Sequence, residues 1–342
     1  MADEKVPTPE EWRHLYALMT QVKEMAPWEW MYESDVFAVQ DPESKEFYFV
    51  SVMGNLGEHL SIAVYLGTRA YEQLLTFAEN ADRDTATGEE LFEISHLQAS
   101  FENREQLTTQ DRDTIKQLGL KFRGRMSWPL FRSYRAGFAP WHLEASEVRI
   151  LTLALEQLLD VAPRFGDDEV EFPEEGDDFF VRVLGEDGQW QDRILPVPNA
   201  EPESVNIAIP KEYADALRRL PHSRNVFEAE LFLMPGVFGD RGNRPQMAYI
   251  FMVVDRASGA ILAGDPMYME TTFADMLAQV PLRMVQICLK MQGVPGEIHV
   301  GSERTEWLLS SLSSLMDCKI KRVKRLGALN NARDAMFQFF MR

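Results

Sequence analysis

Residues 247–267 read MAYIFMVVDRASGAILAGDPM, an apolar run, a polar turn and a second apolar run, with one carboxylate, Asp255, at the junction. Tyr249 to Val254 is too apolar for a strand with one wet face, so it is expected inside a sheet covered on both sides. Asp255 to Gly259 supplies turn chemistry, because Asp and Ser side chains bond nearby backbone groups and Gly259 tolerates positive φ. An echo stands upstream. Residues 37–45, FAVQDPESK, match residues 251–259, FMVVDRASG, in Phe, Val, Asp and Ser at the same offsets. Two readings follow: the same Asp-turn chemistry used twice, or an internal duplication.

Outward from this hairpin, strands are expected at Phe227 to Met234 before it, and at Glu297 to Val300 and Lys319 to Val323 after it. Thr271 or Thr272 caps a helix to Met291, which Pro281 is expected to kink or split. Ser302 caps a helix to Met316, and Leu326 to Phe340 forms the last one. A hairpin, Phe179 to Leu184 with Trp190 to Val197, and a short helix, Pro210 to Leu220, precede this set. The first half reads alike. Thr8-Pro9-Glu10-Glu11 is a capping box opening a helix to Met25. Strands follow at Val36 to Val39, Glu46 to Met53 and Leu60 to Leu66, then a helix from Thr68 to Ala78 and a polar loop from Glu79 to Glu90. A strand at Leu97 to Phe101, a helix to Leu118, a strand at Trp128 to Tyr134 and a helix from Ser146 to Val161, closed by Pro163, complete it. Both halves give three strands, then helix, strand, helix, strand, helix, an order that resembles the ribonuclease H-like fold in topology. The expected fold class is α+β with two domains of mixed sheet. The boundaries fall at 1–165 for the first domain, 166–178 for an acidic linker and 179–342 for the second.

Composition limits function. The net charge of −19 opposes a general nucleic-acid coat or an anionic-membrane binder, since the whole-molecule field repels polyanions. Cys288 and Cys318 are the only cysteines, too few for a disulfide framework or a thiolate metal cluster. The acidic start, residues 1–11, carries no signal-peptide pattern, and no apolar run reaches a bilayer-spanning length. A cytoplasmic protein is expected, without a membrane role; the oligomeric state is left open.

The stretches WMYESDVFAVQD from Trp30, SVMGNLGEH from Ser51, LGLKFRGRMSWPLFRSYR from Leu118 and LTLALEQ from Leu151 resemble a family of prokaryotic proteins. VVDRASGAIL and GVPGEIHV resemble its second domain, also of unknown function. The resemblance covers nearly the whole chain and implies no activity. The second half is also distantly similar to the catalytic core of retroviral-type integrases, in which a strand Asp precedes a hairpin and a Gly-x-Pro-x-x-Ile strand ends in another Asp. Asp255 matches the first acid. Gly301 and Ser302 stand where the second is needed, with Glu303 one step further on.

Two-metal phosphoryl chemistry needs about three carboxylates converging on ions roughly 4 Å apart. Asp255, Glu303 and Asp334 are the candidates, with magnesium or manganese as the ion. A turn Asp, a first-turn helix Glu and a surface helix Asp explain the same residues without chemistry. The six histidines lack ligand spacing, and no nucleophile elbow or phosphate loop occurs. Cys288 reads as a small core residue. Cys318, beside Lys319 and near Lys321, is a candidate for a lowered pKa.

Residues 121–135, KFRGRMSWPLFRSYR, interleave cations and aromatics with no acid. Lys121, Arg123, Arg125, Trp128, Arg132, Tyr134 and Arg135 form the candidate binding stretch, as an anchor for a protein partner, as phosphate-plus-stacking recognition of a nucleic-acid strand or nucleotide, or as Arg paired with the acidic excess over a packed core. The favoured reading is a non-catalytic binding or interaction protein with degenerate ribonuclease H-like domains, no cofactor, and a protein partner ahead of nucleic acid. The alternative is a metal-dependent nuclease.

Overall fold

Thr8 opens the first unit with a complete capping box. Its Oγ1 accepts the Glu11 N–H, and the Glu11 carboxylate accepts the Thr8 N–H, so two orphan donors of helix α1 (Pro9–Met25) are satisfied. The helix ends at Ala26 in the left-handed region, φ 53°, where Pro27 forbids its continuation. Residues 6–82, 90–173, 178–200, 205–240 and 242–340 are described in this computed structural model. They divide between two units, residues 1–136 with 140–201, and residues 202–342 with 137–139.

The first unit continues through β1 (Phe37–Gln40), β2 (Phe47–Met53), β3 (Ser61–Leu66), α2 (Gly67–Asp82), β4 (His96–Glu102), α3 (Thr109–Gln117), β5 (Trp128–Tyr134), α4 (Ala145–Gly166), β6 (Asp178–Leu184) and β7 (Trp190–Pro196). The sheet order is β5-β4-β3-β2-β1-β6-β7. Strands β1 to β5 form an antiparallel meander. Strand β6 joins parallel to β1, Ala38 opposite Val181, and β7 turns back on β6. Alternation along β2 sends Tyr48, Val50 and Val52 to the face covered by α1 and α4, and Phe49 to the opposite face, where Tyr71 of α2 stacks on its ring at 4.2 Å. In α1, Leu15, Met19 and Val22 are fully buried at helical spacing, each contributing about 1.5–3 kcal/mol by its burial.

The second unit comprises α5 (Lys211–Leu217), β8 (Val226–Phe238), β9 (Gln246–Asp255), β10 (Ile261–Ala263), β11 (Pro266–Met267), α6 (Phe273–Met291), β12 (Glu297–Val300), α7 (Glu303–Ser310), α8 (Leu312–Met316), β13 (Lys319–Arg322) and α9 (Gly327–Phe340). Its sheet order is β10-β9-β8-β12-β13, with β11 also on β9. Strands β8, β9 and β10 are antiparallel, whereas β12 is parallel to β8 and β13 parallel to β12. Met247 to Val254 are buried throughout, Tyr249, Phe251 and Val253 under α6, and Ala248, Ile250, Met252 and Val254 under α9. Strand β9 is thus covered on both sides, as its sequence implies.

The α+β class with two mixed sheets stands, and finer expectations change. Duplication fails because β4 adds antiparallel to β3 in the first sheet, whereas β12 adds parallel to β8 in the second. The echoed turns are nevertheless alike. Asp41 Oδ1 accepts the Ser44 N–H and Asp255 Oδ1 the Ser258 N–H, both at 2.8 Å, and Lys45 (φ 64°) stands where Gly259 (φ 72°) does. They join β1 to β2 in one unit and β9 to β10 in the other. The echo is shared turn chemistry, displaced by one strand. The boundary at 165–179 also moves: the hairpin Phe179–Val197 belongs to the first sheet, and Phe172 of the acidic run packs among Phe37, Phe165 and Phe180. Helices α4 and α6 run through Pro163 and Pro281 without a break, whereas the expected helix from Ser302 to Met316 divides at Ser311. Of the expected loop from Glu79 to Glu90, residues 79–82 belong to α2, and 83–89 lie outside the described residues.

Candidate functional site

Two stretches carry the sequence candidates. In the second unit the three acids have separate partners. Asp255 ends β9 with its Oδ1 accepting from Ser258 N–H at 2.8 Å and Ser258 Oγ at 2.7 Å, which holds its carboxyl below the usual range. Glu303, 86% exposed at the start of α7, accepts from Arg322 Nη1 at 3.0 Å. Asp334, 66% exposed on α9, has Arg333 Nε at 4.0 Å. The structure does not bring them together, and among the described residues no group of three or more His, Cys, Asp or Glu side chains is placed to hold a metal ion. Asp255 stands at the end of β9, before the turn into β10.

The acids of the first strand are Glu228 and Glu230 of β8, both buried and both pointing to the α9 side. Glu230 Oε2 accepts the N–H groups of Gly301 at 2.6 Å and Ser302 at 2.9 Å, and Oε1 accepts Ser302 Oγ at 2.6 Å and Thr305 Oγ1. Its charge thus sits at the N-terminus of α7, where orphan N–H groups and the helix dipole favour an anion. A Cβ on residue 301 would lie 2.9 Å from Oε2. A side chain there would push the Glu230 carboxylate off its bonds to Gly301 and Ser302. Glu228 Oε2 accepts the Leu329 N–H at 2.9 Å in the first turn of α9. Cross-strand from Glu228, His299 bonds Glu297 at 3.0 Å, and Lys321 bonds the other oxygen of Glu297 at 2.6 Å. Lys321 and then His299 hold the Glu297 carboxyl down at about 2. Sequence reading passed over Glu228 and Glu230. The signal was two acids at alternate positions of an otherwise apolar strand, VFEAELFLM, which need buried partners.

Burial pushes the Cys288 thiol up to about 12 and the Cys318 thiol to about 11. The lowered pKa expected for Cys318 is therefore reversed, since desolvation and the nearby Glu297 and Asp317 charges outweigh its lysine neighbours.

The basic stretch of the first unit divides in two. In β5, Arg132 forms a bidentate pair with Asp111 of α3, at 2.9 and 2.7 Å, and Asp111 also accepts from Thr108 and faces His142 Nδ1 at 3.4 Å. Burial pushes the Asp111 carboxyl up, but bonds from His142, Arg132 and Thr108 more than offset this and hold it far below the usual range. Arg135 pairs with Glu147 at 2.7 Å and Glu144 at 3.4 Å. Tyr134 stacks on His96 at 4.1 Å, and Trp128 lies against Phe122 with the Arg104 guanidinium over its ring at 5.9 Å. Arg132, Tyr134 and Arg135 are thus parts of the framework.

The loop before β5 differs. Lys121, Arg123 and Arg125 are exposed, and among the described residues none of their side chains has a hydrogen-bond or ion-pair partner. The loop is anchored all the same. Leu120 and Phe122 pack on the core, Met126 N–H donates to Asn103 Oδ1 at 3.1 Å, and Lys23 Nζ donates to the Met126 carbonyl at 2.7 Å. Gly119 at φ 72° and Gly124 at φ 99° supply the left-handed turns that lead in and through. What this arrangement offers chemically is a fixed cationic edge.

Among the described residues, no helix is long and apolar enough to cross a membrane. No curated protein matches the chain. Residues 12–182 match the family described as Domain of unknown function (DUF7309), and residues 214–337 that described as Domain of unknown function (DUF6930). With the first match spanning half of the chain and ending within β6, the protein belongs to the DUF7309 family and carries a DUF6930 domain in its second unit.

Proposed function

We propose that this is a non-catalytic cytoplasmic binding protein whose first unit meets its partner through the loop Lys121 to Arg125. The observation that carries the reading is three exposed cations without partners among the described residues, on an anchored loop, in a chain of net charge −19. Acids are abundant in this chain, yet none of the described ones pairs with these three, whereas Arg132 and Arg135 further along are paired. Anchoring matters because a loop already ordered gives up little further entropy on binding.

The second unit, in this reading, is a degenerate ribonuclease H-like domain that supports the protein and does no phosphoryl chemistry. Three antiparallel strands followed by two parallel ones, in the order β10-β9-β8-β12-β13, support that likeness. The first-strand acid Glu230 is committed to the α7 N-terminus, and Gly301 leaves no side chain where a second acid is needed.

Replacing Lys121, Arg123 and Arg125 together by Ala tests the reading. A labelled sulfated oligosaccharide serves as a generic polyanion, with its affinity measured against salt concentration. The variant is expected to melt with the parent and to bind the probe more weakly, with a flatter salt dependence as fewer counterions are released. Unchanged binding, or a lowered melting temperature that accounts for the loss, would assign the loop to the framework.

A further inference from the structure

Resting on the reading of Lys121 to Arg125 as the binding edge, we infer that its partner is an acidic, extended segment of another protein, with carboxylates at alternate positions, held through side chains.

Charge alone does not distinguish a carboxylate segment from a nucleic-acid strand; the aromatic side chains do. Single-strand binding needs exposed ring faces on which bases stack. Here Phe122 stacks on Tyr16 at 5.8 Å and meets Trp128 at 6.0 Å, Trp128 is covered by Arg104, Phe131 is buried, and Tyr134 lies on His96. The rings that interleave the cations in sequence are each packed against another side chain, and at most partly exposed. What the loop presents to solvent is charge, with the ring faces already occupied by Tyr16, Arg104 and His96.

The spacing of that charge is regular over Lys121 and Arg123, and Arg125 follows in the turn after Gly124. Leu120 and Phe122 pack inward while Lys121 and Arg123 are exposed, a period of two that belongs to extended backbone. Outward side chains on such a segment repeat at roughly 7 Å, the repeat of alternate residues in an extended peptide. Guanidinium groups bind carboxylates through two parallel hydrogen bonds, which favours discrete acids over diffuse charge. A segment with two or three carboxylates also meets little of the −19 field, whereas a long polyphosphate meets it all. The same field opposes a second copy of this chain as the occupant.

The adjacent edge of β5 does not offer strand addition. Its outward positions are Pro129, which has no N–H, Phe131, whose carbonyl accepts Arg132 Nη1 at 2.7 Å, and Ser133, whose N–H and carbonyl both bond Trp141, at 2.8 and 3.0 Å. A partner at this edge therefore engages the side chains of the loop.

The test uses the full chain and its K121A/R123A/R125A variant. Three probes of equal charge are compared by fluorescence anisotropy in one buffer: a peptide of alternating glutamate and alanine, a peptide of the same composition with the glutamates clustered, and single-stranded oligothymidylate. The alternating peptide is expected to bind more tightly than the other two, and the triple change to weaken it by about tenfold or more. Tighter binding of oligothymidylate that the triple change abolishes would leave the loop as a binding edge and overturn the acidic-segment assignment. Equal binding of the two peptides would overturn the alternating spacing. Binding of no probe, or binding indifferent to the triple change, would overturn both this inference and the reading beneath it. Sedimentation of the chain alone at low salt reads the remaining occupant, since a dimer lost in the variant would make it a second copy.

Discussion

Glu230 and Gly301 are bonded and packed against each other at the same atom: Oε2 accepts the Gly301 N–H at 2.6 Å, and a Cβ at residue 301 would stand 2.9 Å from it. Adding the acid that an integrase-type core needs at this place therefore has a cost. Gly301→Asp is expected to lower the melting temperature of the protein and to create no divalent-ion site. Glu230→Gln, which keeps the shape but removes the charge from the α7 N-terminus, is expected to cost about 1–3 kcal/mol in chemical denaturation. A Gly301→Asp variant as stable as the parent would show that the Glu230 carboxylate relocates freely.

Arg132 and Arg123 stand nine residues apart in the same basic stretch and are expected to behave oppositely. Arg132→Ala leaves buried Asp111 without its bidentate partner and should destabilise the first unit by about 3 kcal/mol or more. Arg123→Ala removes an exposed cation with no partner among the described residues and should change stability by less than about 0.5 kcal/mol. Parallel melts of the two variants decide the matter; equal losses would mean that the loop and β5 are one structural unit.

His96 gives a pH dependence with a definite sign. It is buried, its Nδ1 donates to the Ile94 carbonyl at 2.8 Å, and its ring lies on that of Tyr134. Burial pushes its pKa down to about 4, with the Ile94 bond opposing. The unfolded chain therefore takes up this proton near pH 6.5 and the folded one only near 4, so the contribution is whole above 6.5 and lost as pH falls through that window. The loss is on the order of 3 kcal/mol. His96→Phe, which keeps the ring stack, should flatten stability between pH 6.5 and 4.

The nuclease alternative is read by mass action. Magnesium or manganese should leave the melting temperature of the full chain unmoved, because Asp255, Glu303 and Asp334 serve a turn, an Arg322 pair and an exposed helix face. A rise that Asp255→Asn abolishes would restore that alternative.

Local features were legible in the sequence because their causes are local. The Thr8–Glu11 box, the double-covered run Tyr249 to Val254 and the Asp41 and Asp255 turns all fell where spacing and residue type put them. Pairing across distance was not. Nothing near Phe179 announces that β6 will lie beside β1, and an acidic run reads as a solvated linker until Phe172 is seen among other rings. The site was half legible for the same reason. Lys121 to Arg135 stands out by composition, but which cations are neutralised depends on Asp111, Glu144 and Glu147, residues on separate helices or their caps. Glu228 and Glu230 escaped because a carboxylate is ordinarily read as wet, and their partners, backbone N–H groups and the Ser302 and Thr305 hydroxyls, lie 71 to 101 residues away in sequence.

The pairing of Ala38 with Val181 sets an order on synthesis. Strand β1, whose Phe37, Ala38 and Val39 are fully buried in the finished sheet, leaves the ribosome about 140 residues before its parallel neighbour, an interval of roughly 7–30 s at ordinary translation rates. The meander β1 to β5 and its covering helices can collapse within that time, but with an apolar edge still open to any passing strand. The growing chain is thus most vulnerable to aggregation between the emergence of α4 and that of β6. A chain cut at the acidic run would be halted permanently in that state.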